Sequence, residues 1–326
     1  MQREAAGELQ IRRPTGRLRL PHADTLFHAL LLLSAALVLS VLVGLLVELV
    51  LQSRGALHHN GWQFLWTRTW DPVHEVFGVL PYLYGTVVTA VSAMILATLL
   101  GVGVALFLVE LSPAWAARPV SFMVEMLAAI PSVVYGLWGI FVLAPFLRAH
   151  IEQPLYSHFS GVPLFAAYPI GFDYFTAIIV LTIMVLPTVA AVSRDAIAAV
   201  PSSQREAVLA LGATRWEMMR IAVLPFARSG IVGASILGLA RGVGETLAVA
   251  MVIGASPAIT LALFHPGYTM AAVIANEFTE ATTSTYRGAL IEVGLVLFLV
   301  TLLVNVVARL LVWRVTGGTR AGGVGL

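Results

Sequence analysis

Residues 201–225 read PSSQREAVLALGATRWEMMRIAVLP, and the reading of this stretch decides the fold. It is a polar-studded interval between two apolar runs, and it carries its own helix punctuation. Ser203 and Glu206 have the S-x-x-E spacing of a capping box, and Thr214 and Glu217 repeat it as T-x-x-E. Gly212 falls where a left-handed C-cap residue is favoured, and Pro225 is expected to stop the second helix. The pattern therefore predicts helix, glycine turn, helix. Each helix of about nine residues spans roughly 13 Å, too short to cross a bilayer. A capped protrusion between membrane spans gives a partner something to grip. The alternative is an interfacial amphipathic hairpin with no partner.

Composition places this stretch in a membrane protein. The chain is 59% hydrophobic and 11% charged, against about 25% charged in soluble chains. Mean hydropathy is +0.91. Cysteine is absent, which excludes disulfides, thiolate catalysis and Cys-ligated metal. Lysine is absent too, and a Walker A loop needs its Lys. An ATP-driven function would therefore take its motor from another polypeptide.

Residues 1–24 are polar and basic, and the apolar run Leu26–Leu51 follows. That run is longer than the ~7–15-residue core of a cleavable signal and has no small-residue cleavage site after it, so a retained first span is expected. Hydropathy predicts five more spans, at Tyr82–Val109, Val120–Leu147, Tyr174–Ser193, Ile231–Ala255 and Gly288–Trp313. Six spans put both termini on one side. Fourteen Arg fall in the termini, the 110–119 loop and the 194–228 loop, while four (Arg54, Arg68, Arg148, Arg287) fall on the other face. This asymmetry predicts cytoplasmic termini and a cytoplasmic 201–225 loop. The segments 52–81, 148–173 and 256–287 are then external. Their Trp62, Trp66, Trp70, Tyr156 and Tyr168 fit either a membrane interface or a docking surface.

Two prolines and one charged pair mark the membrane interior. Pro131 and Pro187 are each expected to kink or interrupt a span, and broken helices are where transporters expose backbone to a cavity. Arg241 and Glu245 lie near the middle of the expected fifth span, where a charge costs about 2.5–3.5 kcal/mol on insertion scales. On an ideal helix they share an arc with Ala234, Gly238 and Gly242, and Gly230, Ala234, Gly238 and Gly242 form a small-residue row for close helix packing. At i,i+4 the pair can form an ion pair. One reading is an anion pathway: Arg offers a planar fork of donors to an oxyanion, and the competing Glu keeps affinity low. The other is a structural pair that locks helices together. Glu125, Pro131 and Ser132 join the candidate pathway residues. Glu292 is explained by solvation near the external interface.

Glu206, Ala207, Gly212, Leu224 and Pro225 match the cytoplasmic coupling motif of ABC-importer permeases: Glu-Ala-Ala, three residues, Gly, nine residues, Ile, one residue, Leu-Pro. Val208 and Ala222 replace the second Ala and the Ile. The run Ile130–Gly139 and the blocks LALGATRWE, LPFARSGIVG and RGVGETLAV resemble the permeases of phosphate-specific importers, and Leu209–Gly254 resembles their C-type subunit. From Tyr82 onward the resemblance implies an all-α integral membrane protein with a type I, MetI-like core of five helices plus one N-terminal helix. Its divisions are a basic tail (1–24), a first helix and external loop (25–81), a core (82–313) with coupling helices at 201–225, and a C-terminal tail (314–326). It implies a multi-pass subunit of the bacterial inner membrane, without catalytic residues, metal or cofactor of its own and without nucleic-acid binding. ATP and Mg would sit on two copies of a P-loop ATPase. The other partners would be an A-type permease, an extracytoplasmic phosphate-binding protein and membrane lipid. Ser203, Glu206, Ala207, Gly212, Thr214, Glu217, Leu224 and Pro225 would meet the ATPase, and the family's role in anion passage falls on Arg241 and Glu245. The rivals are another oxyanion (sulfate, molybdate), a homodimer, an ion-driven transporter or channel, and a membrane scaffold.

Overall fold

Apolar runs of this length have no water to satisfy their backbone in a bilayer, so they must close their hydrogen bonds internally as helices. The computed structural model describes residues 21–317, and it is helical almost throughout. Six helices are long and apolar enough to cross a membrane. Among the described residues, β-structure is limited to a bridge between Asp71 and Val76.

The chain divides into two units, residues 1–48 and 49–326. In the first, helix α1 (Pro21–Asn60) starts, and residues 25–45 are exposed along their length. An all-round apolar surface suits lipid contact. Its polar side chains turn inward: Ser34 Oγ and Ser40 Oγ donate to the Leu30 and Leu37 carbonyls at 2.8 Å.

The second unit begins with the end of α1. Helix α2 (Leu80–Leu106) runs on through a π turn, Phe107–Leu111. Helix α3 (Ala114–Ala129) follows. Helices α4 (Ser132–Trp138), α5 (Ala144–Leu147) and α6 (Gln153–Phe159) are joined by π turns into one 28-residue rod. Next come α7 (Tyr174–Ala198) and the hairpin of α8 (Ser202–Ala210) and α9 (Arg215–Met218). Helix α9 leads into α10 (Leu224–Val243), and α11 (Leu247–Val252), α12 (Met270–Glu277) and α13 (Ser284–Gly317) complete the order.

Helix α7 is the axis of the core, with α2 and α10 packed on it and on each other. The small-residue row of α10 explains the approach. A Cβ at Gly238 would lie 2.8 Å from methyls of Val185 and Val189, so only glycine lets the helices meet there. Ala234 and Gly242 are buried in the same seam. At the far end from the 201–225 hairpin, Trp70 meets Phe77 and Tyr82 edge-on at 5.0 and 5.1 Å, and its Nε1 donates to Glu277 Oε2 at 2.8 Å. Trp70 is thus a packing residue, whereas Trp62 and Trp66 are 84% and 74% exposed.

Four expectations from hydropathy are corrected. The third span is Ser132–Phe159, because Ile130 and Pro131 take extended backbone and detach α3 from it. Pro187 lies inside an unbroken α7, so it does not interrupt the fourth span. The fifth span comes earlier than 231–255: it runs Arg215–Val243 and breaks at Gly244–Thr246. Glu292 is buried, and its Oε2 accepts from Asn60 Nδ2 at 3.3 Å, so a side-chain partner holds it in place of solvent.

Candidate substrate pathway and coupling hairpin

The hairpin forms as helix, turn, helix, with differences in its caps. Thr214 Oγ1 accepts from the Glu217 amide at 3.3 Å, and Glu217 Oε2 accepts from the Thr214 amide at 2.8 Å, which completes the second box. The first box does not form. Ser203 lies inside α8, Pro201 is the N-cap, and no side chain caps that end. Gly212 has φ +84°, the left-handed conformation its position demands. Pro225 does not stop the second helix. A π turn at Met219–Val223 precedes it, and Pro225 falls in the first turn of α10, where its missing N–H is tolerated. The second hairpin helix is therefore the start of the fifth span. Glu206, Ala207 and Gly212 are exposed, as is Leu211 at 89%, while Leu224 is half-buried.

The hairpin is anchored by a residue that the sequence does not single out. Arg205 Nε donates to Glu110 Oε1 at 3.0 Å, with Nη2 in ion-pair contact with the same oxygen at 2.9 Å, Nη2 donates to the Ile197 carbonyl at 2.9 Å, and Nη1 donates to the Val200 carbonyl. Glu110 lies 95 positions away in sequence, so no local motif announces the pair.

Arg241 and Glu245 do not pair. Helix α10 ends at Val243, so the i,i+4 geometry that would join them is lost in the break. Arg241, exposed in the last turn of α10, donates from Nη1 to Thr188 Oγ1 of α7 at 3.1 Å, its one hydrogen bond among the described residues. Glu245 turns the other way, and its Oε1 accepts from the Ala248 amide at 3.1 Å in the first turn of α11. A carboxylate there meets the positive end of a helix.

Two breaks lie side by side at this level. Helix α4 packs on α11 where Gly136 faces Ala248, and a Cβ on Gly136 would come within 3.2 Å of the Ala248 Cα. Tyr135 Oη bridges the Ile130–Pro131 break by donating to the Leu127 carbonyl at 2.7 Å. Ser132 is half-buried in the first turn of α4. Glu125, on α3, is paired with Arg194 Nη1 of α7 at 3.1 Å. The structure thus sets Arg241, bonded to Thr188, at the end of α10 next to the break before α11, which packs on α4 beyond the other break. The guanidinium keeps donors to spare, in a fork suited to two oxygens of an oxyanion.

Glu152 and Asp173 form a second polar cluster, also without a sequence signal. Both are fully buried between α6 and the start of α7. Asp173 Oδ1 accepts from the Thr176 amide at 2.9 Å and caps α7, and Thr176 Oγ1 donates to Glu152 Oε1 at 3.2 Å. Burial pushes the Asp173 carboxyl above the usual carboxylate range.

Comparison with known proteins agrees with this architecture. The family described as "Binding-protein-dependent transport system inner membrane component" matches residues 97–317. The phosphate transport system permease protein PstC of Mesorhizobium japonicum is 43% identical over 302 residues, 91% of this chain and 92% of that protein. PstC of Xylella fastidiosa is 43% identical over 308 residues, 93% and 95% of the two chains. A probable PstC of Methanocaldococcus jannaschii is 40% identical over 245 residues, 74% and 78% of the two chains. Among solved structures, an inward-facing MetNI methionine ABC transporter chain superposes with TM-score 0.55 at 20% identity, covering 76% of this chain and 99% of that one, a likeness of fold. Six helices among the described residues that are long and apolar enough to span a membrane, and a family match over more than two thirds of the length, lead to one assignment: the chain is a multi-pass transport permease subunit belonging to the binding-protein-dependent transport system inner membrane component family, in the branch of the PstC phosphate permeases.

Proposed function

We propose that this subunit imports inorganic phosphate by alternating access, driven by ATP hydrolysis on partner subunits. The observation that carries the reading is the Arg241 guanidinium, held by one bond to Thr188 where two broken helices meet. It supplies a positive, forked donor set without a competing carboxylate bonded to it, so an anion is attracted by charge and oriented by geometry. The names of the 43% identical relatives support phosphate as the cargo over sulfate or molybdate. Glu245, a few residues on, accepts a hydrogen bond from a protonated oxyanion such as hydrogen phosphate when the α10–α11 break rearranges. Pro131 and Ser132 keep the neighbouring helix open at the same level.

The hairpin around Gly212 docks the ATPase, which holds ATP and Mg. Its exposed Glu206, Ala207 and Leu211 form the gripping face, and the Thr214–Glu217 box stiffens it. With the Arg asymmetry of the sequence, this puts both termini in the cytoplasm of a bacterial inner membrane. A phosphate-binding protein then faces the Trp62–Trp66 side, and an A-type permease completes the translocating pair.

The test is phosphate uptake by cells carrying the whole transporter with Arg241→Gln. Collapse of uptake with intact assembly is the expected result, and parallel assays with sulfate and molybdate decide the cargo. Uptake at the wild-type rate would reject the pathway role.

A further inference from the structure

Helix α8 stands off the body of the protein, and Arg205 and Val208 are its residues that are not exposed. At i,i+3 they share one face. Val208 rests on an apolar patch with Ala105, Ile197, Val200 and Val223. Such a contact is non-directional and lets surfaces slide. Arg205 makes the opposite kind of contact. Its three charge-assisted bonds reach Glu110 at the end of the α2 rod and the Ile197 and Val200 carbonyls at the end of α7, with 19% and 7% of the Arg and Glu side chains exposed. Those carbonyls lie at a helix C-terminus, where Ile197 also accepts from the Val200 amide at 3.2 Å, and Glu110 sits at a C-terminal end that disfavours an anion. Glu110 and the Val200 carbonyl lose this charged partner if the guanidinium leaves.

We infer that Arg205 and Glu110 are positioning residues that form the mechanical joint of the transporter, turning displacement of α8 into movement of α2 and α7. The inference rests on the reading of the hairpin as the ATPase dock. A directional joint is needed because, of the two α8 side chains that are not exposed, Arg205 alone makes polar contacts with the ends of α2 and α7. Its load goes to the right place: Thr188, the partner of Arg241, lies nine residues from Ile197 on the same helix, roughly 13 Å along its axis. A chain of direct contacts therefore links the dock to the pathway arginine.

The experiment measures phosphate uptake and ATP turnover in proteoliposomes holding the complete transporter, with co-purification of the ATPase subunits as a separate readout. Arg205→Gln is expected to keep ATPase binding and hydrolysis while the phosphate-to-ATP ratio falls about tenfold or more. Glu110→Gln, which leaves α8 and its outer face untouched, is expected to lower the same ratio, and it carries the test alone if Arg205→Gln does not assemble. The chain has no native cysteine, so Arg205→Cys with Glu110→Cys allows a thiol cross-linker to replace the ionic joint. Recovery of the ratio on cross-linking supports a joint over a passive brace. An unchanged ratio in Glu110→Gln, or no recovery on cross-linking, overturns the inference. Failure of the wild-type hairpin to bind the ATPase would overturn the docking reading instead.

Discussion

Arg205 and Arg241 share a side chain and little else. Arg205 is surrounded: a carboxylate and two helix-end carbonyls take up its donors. Arg241 is exposed and gives one bond to a hydroxyl. Both lie against α7, so the contrast is one of saturation and not of location in the bundle. A saturated guanidinium has its energy tied up in the folded state and serves as a fastener. An unsaturated one in a membrane span carries an insertion cost that the chain itself does not offset, which is the observation behind the proposed pathway role. The same residue type is thus structural or functional according to how many of its donors the fold uses.

Neutralising each arginine should separate the two roles most widely. Arg241→Gln is expected to cut phosphate uptake by about 100-fold, the loss of a charge-assisted fork, with assembly and ATP turnover kept. Arg205→Gln should instead lower the phosphate-to-ATP ratio about tenfold with the half-saturating phosphate concentration and the anion selectivity unchanged, whereas Arg241→Gln should alter both. The same change in half-saturating phosphate concentration and selectivity in both variants would erase the distinction.

Lysine sharpens the comparison. At 205, one compact ammonium cannot reproduce three bonds that leave a planar fork toward three separate acceptors, so Arg205→Lys should lose about tenfold in the phosphate-to-ATP ratio. At 241, a point charge still attracts an anion, and Arg241→Lys should lose a few-fold in uptake, with a raised half-saturating phosphate concentration. Equal losses would mean that geometry matters as much at 241 as at 205.

Gly212→Ala probes the dock itself. No neighbour lies within 4 Å of the added Cβ, so the cost is the left-handed backbone alone, about 1–2 kcal/mol. ATPase affinity measured by titration should weaken several-fold while Arg241-dependent substrate selectivity is unchanged.

The smallest effect is expected at the buried acids. Folding raises the Asp173 pKa, so the native state holds its proton more tightly and stability falls as pH rises through the folded value. Asp173→Asn keeps a capping side chain and removes the charge. Its Tm should exceed that of the parent by a few degrees near neutral pH, ~1 kcal/mol, and the gain should shrink as pH falls below the folded value of about 6 and vanish below the ordinary value of 3.8. A gain that persists at low pH would reject the charge-based cause.

Much of this was legible in the chain. Membrane class, span number and the hairpin turn follow from local rules: apolar length, the left-handed need at Gly212, and the Thr214–Glu217 box. The Gly230–Ala234–Gly238–Gly242 row announced a packed seam. The misplacements also have local causes. Pro225 looks like a stop until a π turn shifts the hydrogen-bond register and makes it a first-turn residue. Arg241 and Glu245 look paired on an ideal helix, and the break at Gly244–Thr246 separates them.

By itself, then, the sequence determined an all-α membrane chain, the helix–turn–helix hairpin, and the presence of an arginine inside the fifth span, because each depends on residues within a few turns of one another. The tertiary structure alone decided what each charge does. Glu110 meets Arg205 across 95 residues, Thr188 meets Arg241 across 53, and Glu125 meets Arg194 across 69. Hydrogen bonds act over about 3 Å, and no periodicity records which distant side chains the packing of three helices will bring that close.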